Sequence, residues 1–283
     1  MSVFLSELGR RAAERWAALL VLPGLLFTAA AATAAVLGQS HWSDTALLRH
    51  RAAQLTAPTT VVLLAGLVLS VGSALVARTV GRWFELLLAG RWPGPARRVA
   101  ARLTARRHAA WRTYDLAYEA ARDRGEDDRL GELAARRNRV SLTEPRLPTW
   151  TGDRLNAPAR RIRKEYALDL PAAWPRLWLL LPDSTRQPLT EARQQFDEAI
   201  ALGGWAALYT ALGVRWWPAA VVGACVALAA RQRTRATADT YAELVEAAVD
   251  VHLGGLLDRF DDETRPVRPQ RGAAASERFR KAT

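Results

Sequence analysis

Residues 59–77 read TTVVLLAGLVLSVGSALVA, nineteen positions without a charged side chain. A bilayer core of about 30 Å needs about 20 helical residues at ~1.5 Å each, so this run is long enough to cross. A helix half-buried in a soluble core would show a polar face at every turn, and this one does not. The mean hydropathy of the whole chain, −0.08, is that of an ordinary soluble protein. That average mixes such charge-free runs with an arginine-dense block.

Working outward, Trp16–Gly38 is a second charge-free run of 23 residues. A secretory signal is the competing reading of an apolar run this close to the N-terminus. The run exceeds the usual ~7–15 apolar residues of a signal, and Glu7 and Glu14 dilute the preceding basic charge, so a retained span is favoured. A third apolar region, Ala199–Ala230, is interrupted at Gly213-Val214-Arg215-Trp216-Trp217-Pro218. Gly213 can end one helix, and Pro218 suits the first turn of the next. The expectation is a tight hairpin over 196–231 that either crosses fully or is re-entrant. A single span would bury Arg215 at roughly 2.5 kcal/mol or more and place Pro218 in mid-helix.

Basic residues in the short flanks set the orientation. Arg10, Arg11 and Arg15 precede the first run, Arg78 and Arg82 follow the second, and Arg231, Arg233 and Arg235 follow the hairpin. The loop between the first two runs holds only Arg49 and Arg51, and the hairpin tip only Arg215. Four crossings with both termini cytoplasmic satisfy the positive-inside rule at every flank. Trp16, Trp83, Trp216 and Trp217 fall where interface anchors belong.

The formal net charge is +12, and residues 78–165 hold 21 basic against 11 acidic side chains, so ten of the twelve excess charges sit in that window. Only two of the 40 basic residues are lysine; such an arginine and alanine bias can reflect genome composition, so arginine abundance alone carries little. Residues 78–195 form the expected cytoplasmic basic helical domain. Ala96–Arg122 has apolar residues at three- and four-residue spacings and reads as one long helix. Gly125–Asp128 marks a turn, and Arg129–Arg139 reads as another helix. Ser141–Asp153 reads as irregular, and Asn156 as the cap of a helix to about Tyr166, with Pro158 in its first turn. Leu170–Pro182 is apolar but too short and Pro-bounded to span, so it is expected at an interface or under the cytoplasmic helices. Residues 232–260 contain an amphipathic cytoplasmic helix with Tyr241, Leu244, Val245, Ala248, Val251 and His252 on one face, and 261–283 reads as a disordered tail.

The arginine cluster admits three readings. A solvated face paired with nearby carboxylates comes first. Attraction to anionic lipid headgroups comes second, at about 1 kcal/mol per charge near the leaflet; its contacts would be Arg97, Arg98, Arg102, Arg106, Arg107, Arg160, Arg161, Arg163 and Lys164. Nucleic-acid binding is disfavoured, because no DNA- or RNA-binding motif accompanies the charge.

Two stretches carry a family resemblance. Leu147–Pro182, LPTWTGDRLNAPARRIRKEYALDLPAAWPRLWLLLP, has spaced Pro-Thr, Gly-Asp-Arg-Leu, Tyr-x-Leu-Asp and Trp-Pro-Arg-Leu elements. Tyr241–Leu257 has Tyr-x-x-Leu-Val and Ala-x-Asp-x-His. Together they resemble a family of uncharacterised bacterial polytopic membrane proteins of actinobacterial type. The resemblance implies a multi-pass membrane protein and no particular chemistry. The family more often has Asn at the position of Asp153, which argues against a charged functional role there.

Signatures of chemistry are missing from the sequence. There is no G-x-x-x-x-G-K-[ST], no G-x-G-x-x-G after a strand, no H-E-x-x-H and no G-x-S-x-G. His41, His50, His108 and His252 are isolated, and the lone Cys225 excludes an intrachain disulfide. No catalytic residue, cofactor or metal is therefore expected. The spans also lack the buried charges of coupled transporters. The expected fold class is all-α: a polytopic helical protein with four transmembrane helices, two plus a short hairpin, and a basic cytoplasmic insertion. The expected function is a non-enzymatic scaffold or regulator in the bacterial cell (inner) membrane, meeting anionic lipids or an unidentified protein partner, with homo-oligomerisation open. The alternative is an oligomeric ion channel, whose pore could be lined by Thr, Ser and Gly.

Overall fold

The structure is a computed structural model that describes residues 21–54, 58–260 and 277. Trp16, residues 16–20 of the first apolar run and almost all of the 261–283 tail lie outside the described residues. The described chain is all-helical, with no strand. Its helices are α1 (Leu22–Leu37), α2 (Thr45–Ala53), α3 (Thr59–Leu88), α4 (Arg97–Asp123), α5 (Asp127–Val140), α6 (Trp150–Tyr166), α7 (Leu170–Leu180), α8 (Asp183–Leu212) and α9 (Trp217–Phe260). They group into two compact units, one reaching Phe84 and resuming over Glu198–Gln232, the other comprising Glu85–Asp197 and the chain from Arg233. The division falls inside α3, α8 and α9.

The first unit is built on close approaches at small residues. A Cβ added to Gly24 of α1 would stand 2.3 Å from the Ser70 carbonyl oxygen of α3, and Ser70 Oγ donates to the Val21 carbonyl at 2.8 Å. Ala74, Ala77 and Trp205 form the buried cluster where α3 meets α8, with Phe27, Leu208 and Val226 packed against it. Phe27 meets Trp205 and Tyr209 at ring-centroid distances of 5.9 and 5.3 Å. Gly223 of α9 lies against Thr210 of α8, closing the hairpin. At its tip, Gln39 Nε2 donates to the Gly213 and Val214 carbonyls at 3.0 and 2.8 Å, and Gln39 Oε1 accepts from the Trp217 amide. Trp216 Nε1 donates to the Trp42 carbonyl, and the Trp42 and Trp217 rings lie 5.0 Å apart. The α1–α2 loop and the hairpin tip therefore occupy one end of this unit.

Helix α3 is the one described helix long and apolar enough to cross a membrane, with a mean hydropathy of 2.3 over its best window. Its apolar side chains face outward: Leu63, Leu64, Val68, Leu69 and Leu75 are 57–69% exposed. Helix α1 is apolar but has 16 described residues. The apolar halves of α8 and α9 belong to longer mixed helices, so neither helix meets the same criterion.

In the second unit, α4 and α5 form an antiparallel pair turned at Gly125, which takes φ +68. Arg137 of α5 bonds Asp115 of α4 at 2.8 Å and lies over the Tyr118 ring. The core of this unit joins Ile162 of α6, Leu170, Ala173 and Leu177 of α7, Leu189 of α8 and Val245, Val249, Leu253 and Leu256 of α9. The Leu170–Pro182 segment thus packs beneath the helices, leaving Leu179 77% exposed.

Three sequence expectations change. Helix α6 starts at Trp150, because Thr149 Oγ1 accepts the Gly152 amide and caps it; the irregular stretch therefore ends there. Asn156 is accordingly an interior residue and donates to the Gly152 carbonyl at 2.8 Å. The buried face of α9 centres on Val245 and Val249, and Val251 is 74% exposed, because carboxylates beside that face are drawn toward α6.

Candidate functional site

The basic second unit is organised by the first turn of α6, where Thr151, Gly152, Asp153 and Arg154 are all buried. Gly152 has no room for a side chain: a Cβ would stand 2.3 Å from the Leu88 carbonyl oxygen at the end of α3. Thr149 Oγ1 donates to that same carbonyl. The loop before α6 is thereby seated on the end of α3.

Asp153 accepts a full set of donors. Its Oδ2 takes Arg107 Nη1 at 2.6 Å, and its Oδ1 takes the Arg146 and Leu147 amides at 3.0 and 3.1 Å. Arg160 Nη1 stands 3.6 Å away, while Arg160 Nη2 donates to the Asp153 carbonyl at 3.0 Å. Arg107 also donates to the Leu147 carbonyl and, at 2.8 Å, to that of Val140. A buried carboxylate is tolerated only when its charge and lone pairs are matched in this way. Asp153 thereby fixes α4 and the 140–147 loop on α6.

Arg154, one residue on, faces the other way. Its side chain is 7% exposed and bonds Asp239, with Glu246 at 3.2 Å and Glu243 at 3.6 Å. One turn-pair later, Arg161 bonds Asp250 at 3.0 Å and Glu165 at 3.2 Å and lies 3.6 Å from Glu246. The bond to Asp250 holds the Arg161 pKa above its ordinary value, with a further contribution from Glu165. Tyr166 is raised mainly by burial, then by the neighbouring Asp250 charge. Arg154 and Arg161 are seven residues apart, as are Asp153 and Arg160, so α6 presents two adjacent charged stripes. One meets α4 and its loop, the other the acidic edge of α9. Arg154→Ala is expected to cost about 2 kcal/mol in thermal unfolding, since it leaves the half-buried Glu246 with only Arg161, 3.6 Å away, while Asp239 and Glu243 keep their water.

A third cluster joins α3 to α8. Arg193 lies 2.6 Å from Glu85 and 2.9 Å from Asp197 and over the Phe196 ring. Partial burial opposes its charge, but the bond to Glu85 and the Asp197 carboxylate outweigh it and raise the Arg193 pKa.

The basic residues singled out by sequence therefore separate. Arg107, Arg160 and Arg161 are engaged in the ion pairs above. Arg97, Arg98, Arg102 and Arg106 are exposed on α4 and form no ion pair among the described residues, and the same holds of Arg163 and Lys164 on α6. No acidic residue occurs in α4 before Asp115. Trp83 is 60% exposed, Trp217 43%, and Trp216 is tied to the α1–α2 loop. Sequence reasoning passed over Asp153 and Arg154. Their signal was the Gly-Asp-Arg order repeated by Arg160-Arg161 two helical turns later. Among the described residues no group of three or more His, Cys, Asp or Glu side chains could hold a metal ion. No protein-family model matches the chain, and no curated protein or solved structure matches it significantly.

Proposed function

We propose that this protein is a multi-pass membrane scaffold or regulator that holds a basic helical module at the cytoplasmic face of the membrane. The observation that carries the reading is α3. Its best window is only 17% buried although its mean hydropathy is 2.3. Each of its outward leucines and valines would cost about 1.5–3 kcal/mol if left in water rather than in an apolar medium, and lipid removes that cost.

The assembly of the first unit supports the remaining crossings. Helix α1 lies on α3 at Gly24 and Ser70, and the α8–α9 hairpin lies on α3 at Gly204 and Ala77. Gln39 and Trp42 join the α1–α2 loop to the hairpin tip. If α3 crosses, elements packed along it share its depth, and the two turns at one end share one side. Arg231, Arg233 and Arg235 then fall on the side of Arg78 and Arg82, as the positive-inside rule favours. The helical module carries ion-paired charges that position it and unpaired arginines that give it an anionic partner. Reporter fusions in the 38–58 loop, at residue 130 and at residue 240 should read outside, inside and inside. An external signal at 240 overturns the four-crossing arrangement.

A further inference from the structure

We infer that the Arg97, Arg98, Arg102 and Arg106 face of α4 is a docking surface for anionic phospholipid headgroups of the leaflet in which α3 ends, an inference that rests on the membrane reading above. Arg98, Arg102 and Arg106 follow one another at four-residue spacing, so they share one stripe, with Arg97 beside it. All four are exposed without an ion pair among the described residues, whereas Arg107 on the same helix is spent on Asp153. The contrast matters, because the solvated-face reading expects surface arginines to find carboxylates, as Arg129 and Arg136 do with Glu126 and Glu132. The first acidic residue of α4 is Asp115, more than two turns beyond Arg106. Among the described residues no carboxylate pairs with this stripe, and the positive charge at the start of α4 also opposes the helix dipole.

A lipid surface fits better than a soluble acidic partner because of where the stripe lies in the chain. Eight residues, 89–96, separate the end of α3 from the start of α4. They turn at Gly90, which takes φ +82, and through the 3₁₀ turn Gly94–Ala96. A linker of eight residues reaches at most about 28 Å when fully extended, and much less through two turns. The start of the stripe is therefore tethered within that reach of Leu88, on the side of the membrane to which the positive-inside rule assigns Arg78 and Arg82. Val99, 49% exposed between the arginines, adds an apolar contact suited to an interface. Each arginine near an anionic leaflet shifts the docking equilibrium roughly fivefold.

The test uses the full chain with Cys225→Ala, labelled with a fluorophore at Ala105→Cys or Leu67→Cys and reconstituted in vesicles. The vesicles are phosphatidylcholine alone or a phosphatidylglycerol–phosphatidylcholine mixture, and carry nitroxide-labelled lipid as quencher. The inference expects the Ala105 label to be quenched in the anionic vesicles, weakly in the neutral ones, and less at high salt. Replacing all four arginines with Gln should abolish that quenching, while Lys at all four should retain it, because a leaflet reads charge rather than guanidinium geometry. The Arg107–Asp153 pair is untouched in both variants, and an unchanged melting temperature verifies folding. No quenching in anionic vesicles, equal quenching in neutral ones, or loss in the Lys variant overturns the lipid inference. The Leu67 label, on the outward face of α3, should be quenched in every vesicle. If it is not, the membrane reading itself fails; if it is quenched and the Ala105 label is not, only the lipid docking fails.

Discussion

Asp153→Ala is expected to lower the stability of the basic unit by about 3–5 kcal/mol, the range for removing one partner of a buried ion pair. The substitution leaves Arg107, whose side chain is 18% exposed, facing Arg160 without the carboxylate that separates them. It also orphans the Arg146 and Leu147 amides, each a further loss if water cannot reach it. Asp153→Asn keeps the shape and one acceptor oxygen but removes the charge, so about half the loss is expected. Thermal unfolding of the purified protein checks both. Equal stability of wild type and Asp153→Ala would show that α4 is not held through this carboxylate. Because Arg107 belongs to α4, the alanine variant should also release the basic stripe from its fixed place, raising hydrogen exchange across α4 and the 140–147 loop.

The second large effect is expected at Gly204. A Cβ there would stand 1.8 Å from the Ala77 carbonyl oxygen and 3.1 Å from the Gly81 amide nitrogen. Both are backbone atoms, so no side chain can swing aside and α3 and α8 must separate. Gly204→Ala should cost about 3 kcal/mol, at the upper end of overpacking, and Gly204→Leu should prevent the unit from assembling. The neighbouring Gly203 has nothing within 4 Å of its added Cβ, so Gly203→Ala should leave stability within a few tenths of a kcal/mol. The comparison is internal, since both glycines occupy the same helix at the same depth. Melting in lipid discs should separate the two variants by ten degrees or so, taking about 2–4 °C per kcal/mol for a chain this size. Similar melting of both would mean that α3 and α8 do not touch at Gly204.

The elements that were legible in the sequence owe this to local causes. The charge-free run 59–77 marks α3, although the helix continues to Leu88 because nothing after Ala77 stops it. Gly213 and Pro218 mark the hairpin tip, and Gly125 marks the α4–α5 turn. What was not legible depended on distant partners. Pro145, Pro148 and Gly152 make the stretch 141–153 read as irregular, yet Thr149 caps a helix within it. That helix contains Pro158 in its interior, and within it Asn156 and Arg160 donate to the carbonyls of Gly152 and Asp153. The Asn common at the position of Asp153 in the resembling family argues against a charged role there, and its chief partner, Arg107, lies 46 residues away, where no local pattern shows it. The buried face of α9 was placed about one residue off, because periodicity weighs apolar residues and ignores the pull of Arg154 and Arg161 on Asp239, Glu246 and Asp250. Charge counting located the basic helices, but only geometry could divide arginines spent inside the fold from those left for a partner.

The proposed topology has the α8–α9 hairpin crossing the membrane, its tip on the same side as the α1–α2 loop that Gln39 and Trp42 tie to it, and Ser184 and Ala236 on the cytoplasmic side. Single cysteines at Ser43, Val214, Ser184 and Ala236, each in the Cys225→Ala background, test it most directly with a membrane-impermeant maleimide on intact cells. Ser43→Cys and Val214→Cys should label at once, and Ser184→Cys and Ala236→Cys only after permeabilisation. Labelling of Ser43 and Val214 from opposite sides, or of Ala236 in intact cells, would contradict the account.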